Sequence, residues 1–178
     1  MAFALLAAFQ AWSQQNMITF VPKYLSDLGQ SASTYGVIAA LFMGGSALGN
    51  AVGGSLADTY GKRRVASVAL VSASIPLYLV AVVGWSPWLY LLVPLSGALT
   101  GATHSIIVVL AQRMIPNRMA TASGLILGFM FSSGAVGTFL SGFLADAWGL
   151  IPVFYLTAGI ALAAGFLAML LREPSGNG

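Results

Sequence analysis

Long apolar runs separated by short polar turns make up almost the whole chain. A bilayer core about 30 Å thick needs roughly 20 helical residues, and the turns leave six windows of suitable length. The pattern predicts an all-α membrane protein with six transmembrane helices. The predicted spans cover about residues 2–24, 33–57, 65–83, 88–111, 119–145 and 150–171, with a polar tail at 172–178.

Small residues recur at four-residue spacing in the second and fifth predicted spans. The second span has Gly45, Gly49 and Gly53, and the fifth repeats the spacing with Gly124 and Gly128. A stripe of small residues lets another helix approach closely. Both spans are therefore expected to pack closely against a neighbouring helix.

The same two spans contain an internal repeat. SALGNAVGGSLADTYG, residues 46–61, aligns without gaps with GAVGTFLSGFLADAWG, residues 134–149, at an offset of 88 residues. The second and fifth spans cross the membrane in opposite directions. The alignment therefore predicts an inverted 3+3 repeat, and a chance match between two apolar helices is the alternative.

The amino-acid composition is typical of a membrane protein and excludes several kinds of partner and metal site. Hydrophobic residues make up 58% of the chain and charged residues 6%, against roughly 25% charged in an ordinary globular chain. The seven cations lie in short turns rather than on one face, which argues against a nucleic-acid partner. With no cysteine and one histidine, thiolate and histidine-cluster metal sites are excluded, and we expect no metal and no cofactor.

The distribution of cations predicts the orientation. Lys23 alone falls on one side of the predicted spans. The cations on the other side are Lys62, Arg63, Arg64, Arg113, Arg118 and Arg172. By the positive-inside rule, both termini and the tail at 172–178 are expected in the cytoplasm. The apolar opening has no basic start or convincing cleavage site, so it is interpreted as a first span rather than a signal peptide.

Polar side chains inside the spans identify a candidate substrate site. On the first span, Trp12, Gln15, Asn16 and Thr19 share one helical face, which offers an aromatic surface beside hydrogen-bonding groups. We expect this face to contact substrate. The alternative is that these amides only bond neighbouring helices, which is also the expectation for Asn50 on the second span.

His104 is the ionisable group placed inside the membrane, about one helical turn from Thr100 on the fourth span. Ionisable residues at this depth are functional hypotheses by default. Both residues are candidates for substrate binding, and His104 is the candidate for proton coupling. The alternative is a neutral imidazole bonded to a facing hydroxyl or carbonyl, since the hydrocarbon core offers no carboxylate to pair with it.

The stretch GGSLADTYGKRR, residues 53–64, joins the second and third spans. Asp58 lies at a helix C-terminus, where the dipole disfavours a carboxylate, so we expect a cationic or N–H partner nearby. Gly61 suits a reversal with positive φ. Lys62 and Arg63 then begin a basic run at the level of the lipid headgroups.

These residues resemble the signature loop of the major facilitator superfamily, in which two glycines flank an aspartate and basic residues follow. The matching positions are Gly54, Asp58, Gly61, Lys62 and Arg63, whereas Thr59 stands where the family usually has a cation. In related proteins this turn braces one conformer against an opposing bundle. The resemblance implies that the motif is a gate here and stabilises an outward-open state.

Two further stretches resemble the drug-efflux subgroup that includes the fosmidomycin resistance protein. FQAWSQQNMITFVPKYL, residues 9–25, is similar to a seventh span, and LAQRMIPNRMATASGLILGFMF, residues 110–131, to a tenth and eleventh. The resemblance implies a C-terminal six-helix half in a bacterial inner membrane. Its first, second, fourth and fifth spans would line a central cavity, and the third and sixth would face outward.

The function implied is proton-coupled export of a small molecule by alternating access, together with a second six-helix half. That second half is expected to be a missing N-terminal half or another copy of this chain. Proton-coupled uptake, a non-transporting membrane scaffold and an inactive fragment are the alternatives. An intramembrane serine protease is disfavoured because no Ser-Gly pair has glycine two positions before its serine; the serines concerned are Ser96, Ser123, Ser133 and Ser141.

Overall fold

The computed structural model describes residues 1–171 as a bundle of six long α-helices. They are α1 (Ala2–Asp27), α2 (Ala32–Tyr60), α3 (Lys62–Val83), α4 (Leu89–Met114), α5 (Met119–Trp148) and α6 (Leu150–Met169), with a 3₁₀ turn at Pro116–Arg118. This agrees with the predicted all-α fold. The predicted tail at 172–178 lies outside the described residues.

The first five helices are longer than the predicted spans. Each of α1 to α5 runs three residues beyond its span at one end, so Lys62 begins the first turn of α3 instead of lying in a loop. Charged residues propagate a helix nearly as well as apolar ones, and the reversals that follow α2 and α5 come only where a glycine adopts positive φ. Gly61 has φ 91° and Gly149 φ 82°, which confirms the prediction for Gly61. Each is the single residue between two helices.

The helices pack in a defined set of pairs. α2 packs along α4, α1 along α5, and α3 against α6. The contacts of α1 with α6 and of α3 with α4 connect these pairs into one bundle.

Two apolar clusters lie towards opposite ends of the bundle. One surrounds Phe42, Leu77 and Phe154, and the other surrounds Leu70 and Ile107. Along both α1 and α4, buried polar residues separate the positions that belong to the two clusters. The bundle therefore has a polar layer near its middle.

Glycines set the distance between α2 and α4. A Cβ at Gly45, Gly49 or Gly53 would overlap backbone of α4, and one at Gly97 or Gly101 would overlap backbone of α2. The predicted close approach of α2 is therefore to α4. The stripe on α5 is divided. A Cβ at Gly124 or Gly128 would meet no other helix within 4 Å, whereas one at Gly137 would overlap the Trp12 indole of α1.

Five helices of the described chain, α2 to α6, are long and apolar enough to cross a membrane. α1 has 26 residues and is long enough. Its amide side chains lower its hydropathy, because Gln10, Gln14, Gln15 and Asn16 lie in its middle. The assignment of α1 as a sixth span stays a prediction.

Candidate functional site

The polar layer in the middle of the bundle consists of buried side chains from several helices. These are Gln10, Ser13 and Asn16 on α1, Ser96, Thr100 and Thr103 on α4, Ser141 on α5 and Thr157 on α6. Hydrogen bonds within it join α1 to each of α2, α4, α5 and α6. The layer fixes the position of α1, which has most of the predicted substrate-binding residues.

Asn16 connects α1 to α5 and α6. Its Nδ2 donates to Ser141 Oγ at 2.9 Å and to Thr157 Oγ1 at 3.0 Å, and its Oδ1 accepts from Thr138 Oγ1 at 3.1 Å. Trp12 Nε1 donates to the same Ser141 Oγ at 2.9 Å. The Asn16 side chain is fully buried. Asn16 therefore makes the contacts expected if its amide bonds neighbouring helices, which was the alternative to substrate contact.

A second junction connects α1 to α4 and α2. Gln10 Nε2 donates to Gln14 Oε1 at 3.0 Å and to the Thr100 carbonyl at 3.1 Å, and Gln14 Nε2 donates to Ser46 Oγ at 2.9 Å. Thr100 Oγ1 donates to the Ser96 carbonyl of its own helix at 2.8 Å. Gln10 and Gln14 were not among the predicted site residues, although their i, i+4 spacing places them on one face.

The other predicted substrate-binding residues are less enclosed. Trp12 and Gln15 are half-buried and Thr19 is exposed. Half-buried His104 has a buried Nδ1 with no hydrogen-bond partner in the part of the chain that the structure describes. Among these residues, Gln15, Thr19 and His104 make no side-chain hydrogen bond to any other residue within 1–171.

Asn50 has the contacts predicted for it. Its Oδ1 accepts from the Ser105 backbone N–H at 2.9 Å, and its carbonyl accepts from Ser105 Oγ at 3.2 Å. A Cβ at Gly54, one turn further along α2, would lie 3.5 Å from the same Ser105 Oγ. Asn50 therefore joins α2 to α4.

The signature turn has the partner expected for its aspartate. Lys62 Nζ lies 3.1 Å from Asp58 Oδ1, across the reversal at Gly61. The Asp58 side chain is 77% exposed and that of Lys62 only 11%. The carboxylate therefore keeps most of its surface available to another partner.

The corresponding turn at the end of α5 has different charges. Asp146 stands where Asp58 stands in the repeat, but Leu150 follows the glycine instead of a cation. Asp146 makes no ion pair within residues 1–171, and it borders a cavity of about 360 Å³ together with the ion-paired Lys23 and Asp27. The two turns of the repeat thus differ in their electrostatics.

Comparison with known proteins gives a consistent set of relatives. The family model described as Major Facilitator Superfamily matches residues 3–178. An uncharacterised MFS-type transporter of Bacillus subtilis, YfnC, is 37% identical over 142 residues, which cover 80% of this chain and 34% of that protein. The fosmidomycin resistance protein of Escherichia coli is 28% identical over 74% of this chain and 32% of its own length.

A third relative, the multidrug resistance protein MdtG of Serratia proteamaculans, is 29% identical over 86% of this chain and 39% of its length. The chain spans between about a third and two fifths of these relatives. The family match covers nearly all of the sequence, and it agrees with the signature turn and the all-helical bundle. The chain belongs to the Major Facilitator Superfamily.

Proposed function

We propose that this chain is the C-terminal six-helix half of a proton-coupled exporter of small molecules in a bacterial inner membrane. Both termini lie in the cytoplasm in this proposal. A second six-helix bundle completes the transporter, and the two bundles rock about a central site to give alternating access. The main support is the set of polar groups left unused near the middle of α1 and α4.

Half-buried Gln15, exposed Thr19 and His104 with its unpartnered Nδ1 lie on α1 and α4, the two helices that contribute most of the buried polar layer. In hydrocarbon, a polar group without a hydrogen bond costs roughly 2–7 kcal/mol. A water-filled cavity between two bundles supplies the missing partners. A single bundle surrounded by lipid does not, which favours a transporter over a scaffold.

The helix pairs support the inverted 3+3 repeat. If α1, α2 and α3 correspond to α4, α5 and α6, then the α2–α4 pair corresponds to α5–α1, and α1–α6 to α4–α3. The α3–α6 pair corresponds to itself. All of these pairs are among the main contacts of the bundle, and α2–α3 and α5–α6 share a single-glycine connection.

We assign direct substrate contact to Trp12, Gln15, Thr19 and His104. Asn16 and Thr100 are engaged inside the bundle, so in this proposal they hold α1 and α4 in place around the site. His104 is the proton-coupling group in this proposal, because its imidazole is the side chain near the middle of the described helices that can gain and lose a proton near neutral pH. The signature residues Gly54, Asp58, Gly61, Lys62 and Arg63 form the gate.

The substrate class is proposed from the relatives. Two of them are named for resistance to fosmidomycin and to multiple drugs. An indole beside amide and hydroxyl groups suits a small amphipathic molecule. We therefore propose export of such a compound, with uptake as the alternative direction and no enzymatic activity.

Solute-dependent proton flux tests this proposal. The purified chain is first sized in nanodiscs, so that the number of bundles per particle is known. It is then reconstituted into proteoliposomes that contain a pH-sensitive dye, and fosmidomycin is added as the first probe. If the particle contains two bundles, a proton movement that depends on added solute is expected, and its sign relative to solute movement separates export from uptake.

His104→Gln is expected to abolish the response to a pH gradient. Ser133→Ala, which removes a hydroxyl that donates to its own helix at 2.7 Å, is the control and is expected to leave it intact. If particles with two bundles showed no flux for a panel of amphipathic solutes, that result would favour the scaffold. A monodisperse single-copy particle that transports would contradict the requirement for a second bundle.

A further inference from the structure

A groove of about 540 Å³ runs along the outside of the bundle where α2, α3 and α4 meet. Gly49 and Gly53 lie at its floor, where α2 touches the backbone of α4. The exposed side chains of Leu48, Val52 and Val68 form its walls. The close approach of α2 to α4 at these glycines brings Ala98 and Ala102 of α4 into the lining of the groove.

The groove has the length of one lipid leaflet. Its lining residues on α2 extend from Leu48 to Tyr60, which at 1.5 Å per residue is about 18 Å. Half of a hydrocarbon core about 30 Å thick is roughly 15 Å. An acyl chain inserted from the end marked by Tyr60 would therefore reach Leu48.

The charged side chain that lines the groove, Arg64, lies at that same end. Arg64 and Tyr60 line it there, and Arg64 makes no ion pair with the residues that the structure describes. Arg64 lies in the first turn of α3, whose N-cap Gly61 supplies no capping side chain. A cation at the positive end of a helix dipole is disfavoured unless an anion lies beside it. The end of the groove therefore favours an anionic group.

We propose that this groove binds one anionic phospholipid. Its phosphate pairs with Arg64, because a guanidinium matches phosphate geometry better than an ammonium does. One acyl chain lies along α2 over Gly53 and Gly49. This site is separate from the proposed transport site and does not depend on the chain's activity as a transporter.

The size of the groove distinguishes a lipid from a protein partner. A helix is about 10 Å across with its side chains, whereas the groove is a surface channel bordered by the exposed side chains of Leu48, Val52 and Val68. A helix from a second bundle can cover the groove but cannot enter it. A single acyl chain is thin enough to enter.

Native mass spectrometry of the full chain tests the site. The probes are phosphatidylglycerol and phosphatidylcholine with identical acyl chains, added at equal concentration to protein in mild detergent. One phosphatidylglycerol per chain is expected to be retained, at least fivefold more than phosphatidylcholine. Equal retention of both lipids would overturn the proposed preference for an anionic phospholipid, because the two lipids share the phosphate and differ in net headgroup charge.

Two variants locate the lipid. Arg64→Gln removes the headgroup partner, and Val52→Trp fills the groove; each is expected to lower phosphatidylglycerol retention at least fivefold. Their controls are Arg113→Gln, an exposed cation at the end of α4, and Val136→Trp, an exposed valine on α5, and both should retain lipid. Circular dichroism verifies that each variant is folded.

Unchanged retention in both folded variants would overturn the proposal. If Val52→Trp instead reduced the copy number per particle and left lipid retention unchanged, the groove would belong to a protein contact and the lipid assignment would be wrong.

Discussion

Asn16 shows how one amide can hold three helices together in an apolar bundle. Both Nδ2 protons and the Oδ1 atom are used, on partners from α5 and α6. Interhelical hydrogen bonds in membranes contribute about 0.6 kcal/mol each on average. Three such bonds therefore stabilise the position of α1 by about 2 kcal/mol.

Asn16→Ala is expected to lower the free energy of unfolding by about 2 kcal/mol, because it removes the three bonds and leaves Thr138 without its side-chain partner. Unfolding by SDS in mixed micelles, followed by tryptophan fluorescence, measures the change. Thr19→Ala on the same helix is the control, since Thr19 is exposed. A variant at Asn16 as stable as the unchanged chain would contradict this role.

The sequence could predict which face of α1 is polar but not what lies opposite each residue. Gln15 and Asn16 are adjacent amides, yet Asn16 is fully buried and Gln15 only half-buried. The difference depends on Ser141 and Thr157, which are more than 120 residues away along the chain. Helical periodicity contains no information on such pairings.

At the scale of the helices, α2 and α4 form the most closely packed pair. Glycines on each helix face the backbone of the other, so the two helices approach without intervening side chains. Close approach increases van der Waals contact, which is the main source of helix association in lipid. A methyl group added at one of these facing glycines must force the pair apart.

Gly49→Ala is expected to destabilise the bundle by roughly 1–3 kcal/mol or more, because its Cβ would overlap the Ala98 carbonyl. Gly44→Ala, on the same helix, has open space around the new Cβ and should be neutral or stabilising by up to about 1 kcal/mol. Thermal unfolding in detergent compares the two. If both variants behaved alike, the close contact of α2 with α4 would be refuted.

The number and order of the helices and the reversal at Gly61 were predictable from local sequence. Their lengths were not, because a run of charged residues ends an apolar span without ending a helix. The contacts of the glycines on α5 also could not be predicted from local sequence. Gly137 lies beneath the Trp12 indole while Gly124 faces open space, and their spacing alone does not distinguish the two.

At the scale of the whole molecule, the exposed carboxylate of Asp58 is the feature that bears on conformational state. It is held by Lys62 but keeps most of its surface free. In the proposed transporter, a second bundle uses that surface when the cytoplasmic side is closed. The contact then stabilises the outward-open state and is lost in the inward-open one.

Asp58→Ala is expected to shift the population towards the inward-open state by up to about fivefold, or roughly 1 kcal/mol. The chain has no cysteine, so single cysteines at Leu125 and Phe143, exposed positions towards opposite ends of α5, report accessibility to a thiol reagent. Labelling should rise in the Leu125→Cys variant and fall in the Phe143→Cys variant.

Asp27→Ala serves as the comparison, because it removes an exposed i, i+4 ion pair of the same type at the other end of the bundle. It should not reproduce the shift seen for Asp58. Unaltered labelling at both cysteines in the Asp58 variant would rule out the gating role.

The single glycines at positions 61 and 149 limit how the bundle can move. A connection of one residue is too short to let the two helix ends separate. When α2 tilts, the start of α3 must therefore move with it, and the start of α6 must move with α5 in the same way. The chain can absorb motion only in its longer connections, residues 28–31, 84–88 and 115–118. Any shape change within this bundle is therefore expected to keep the end of α2 with the start of α3, and the end of α5 with the start of α6.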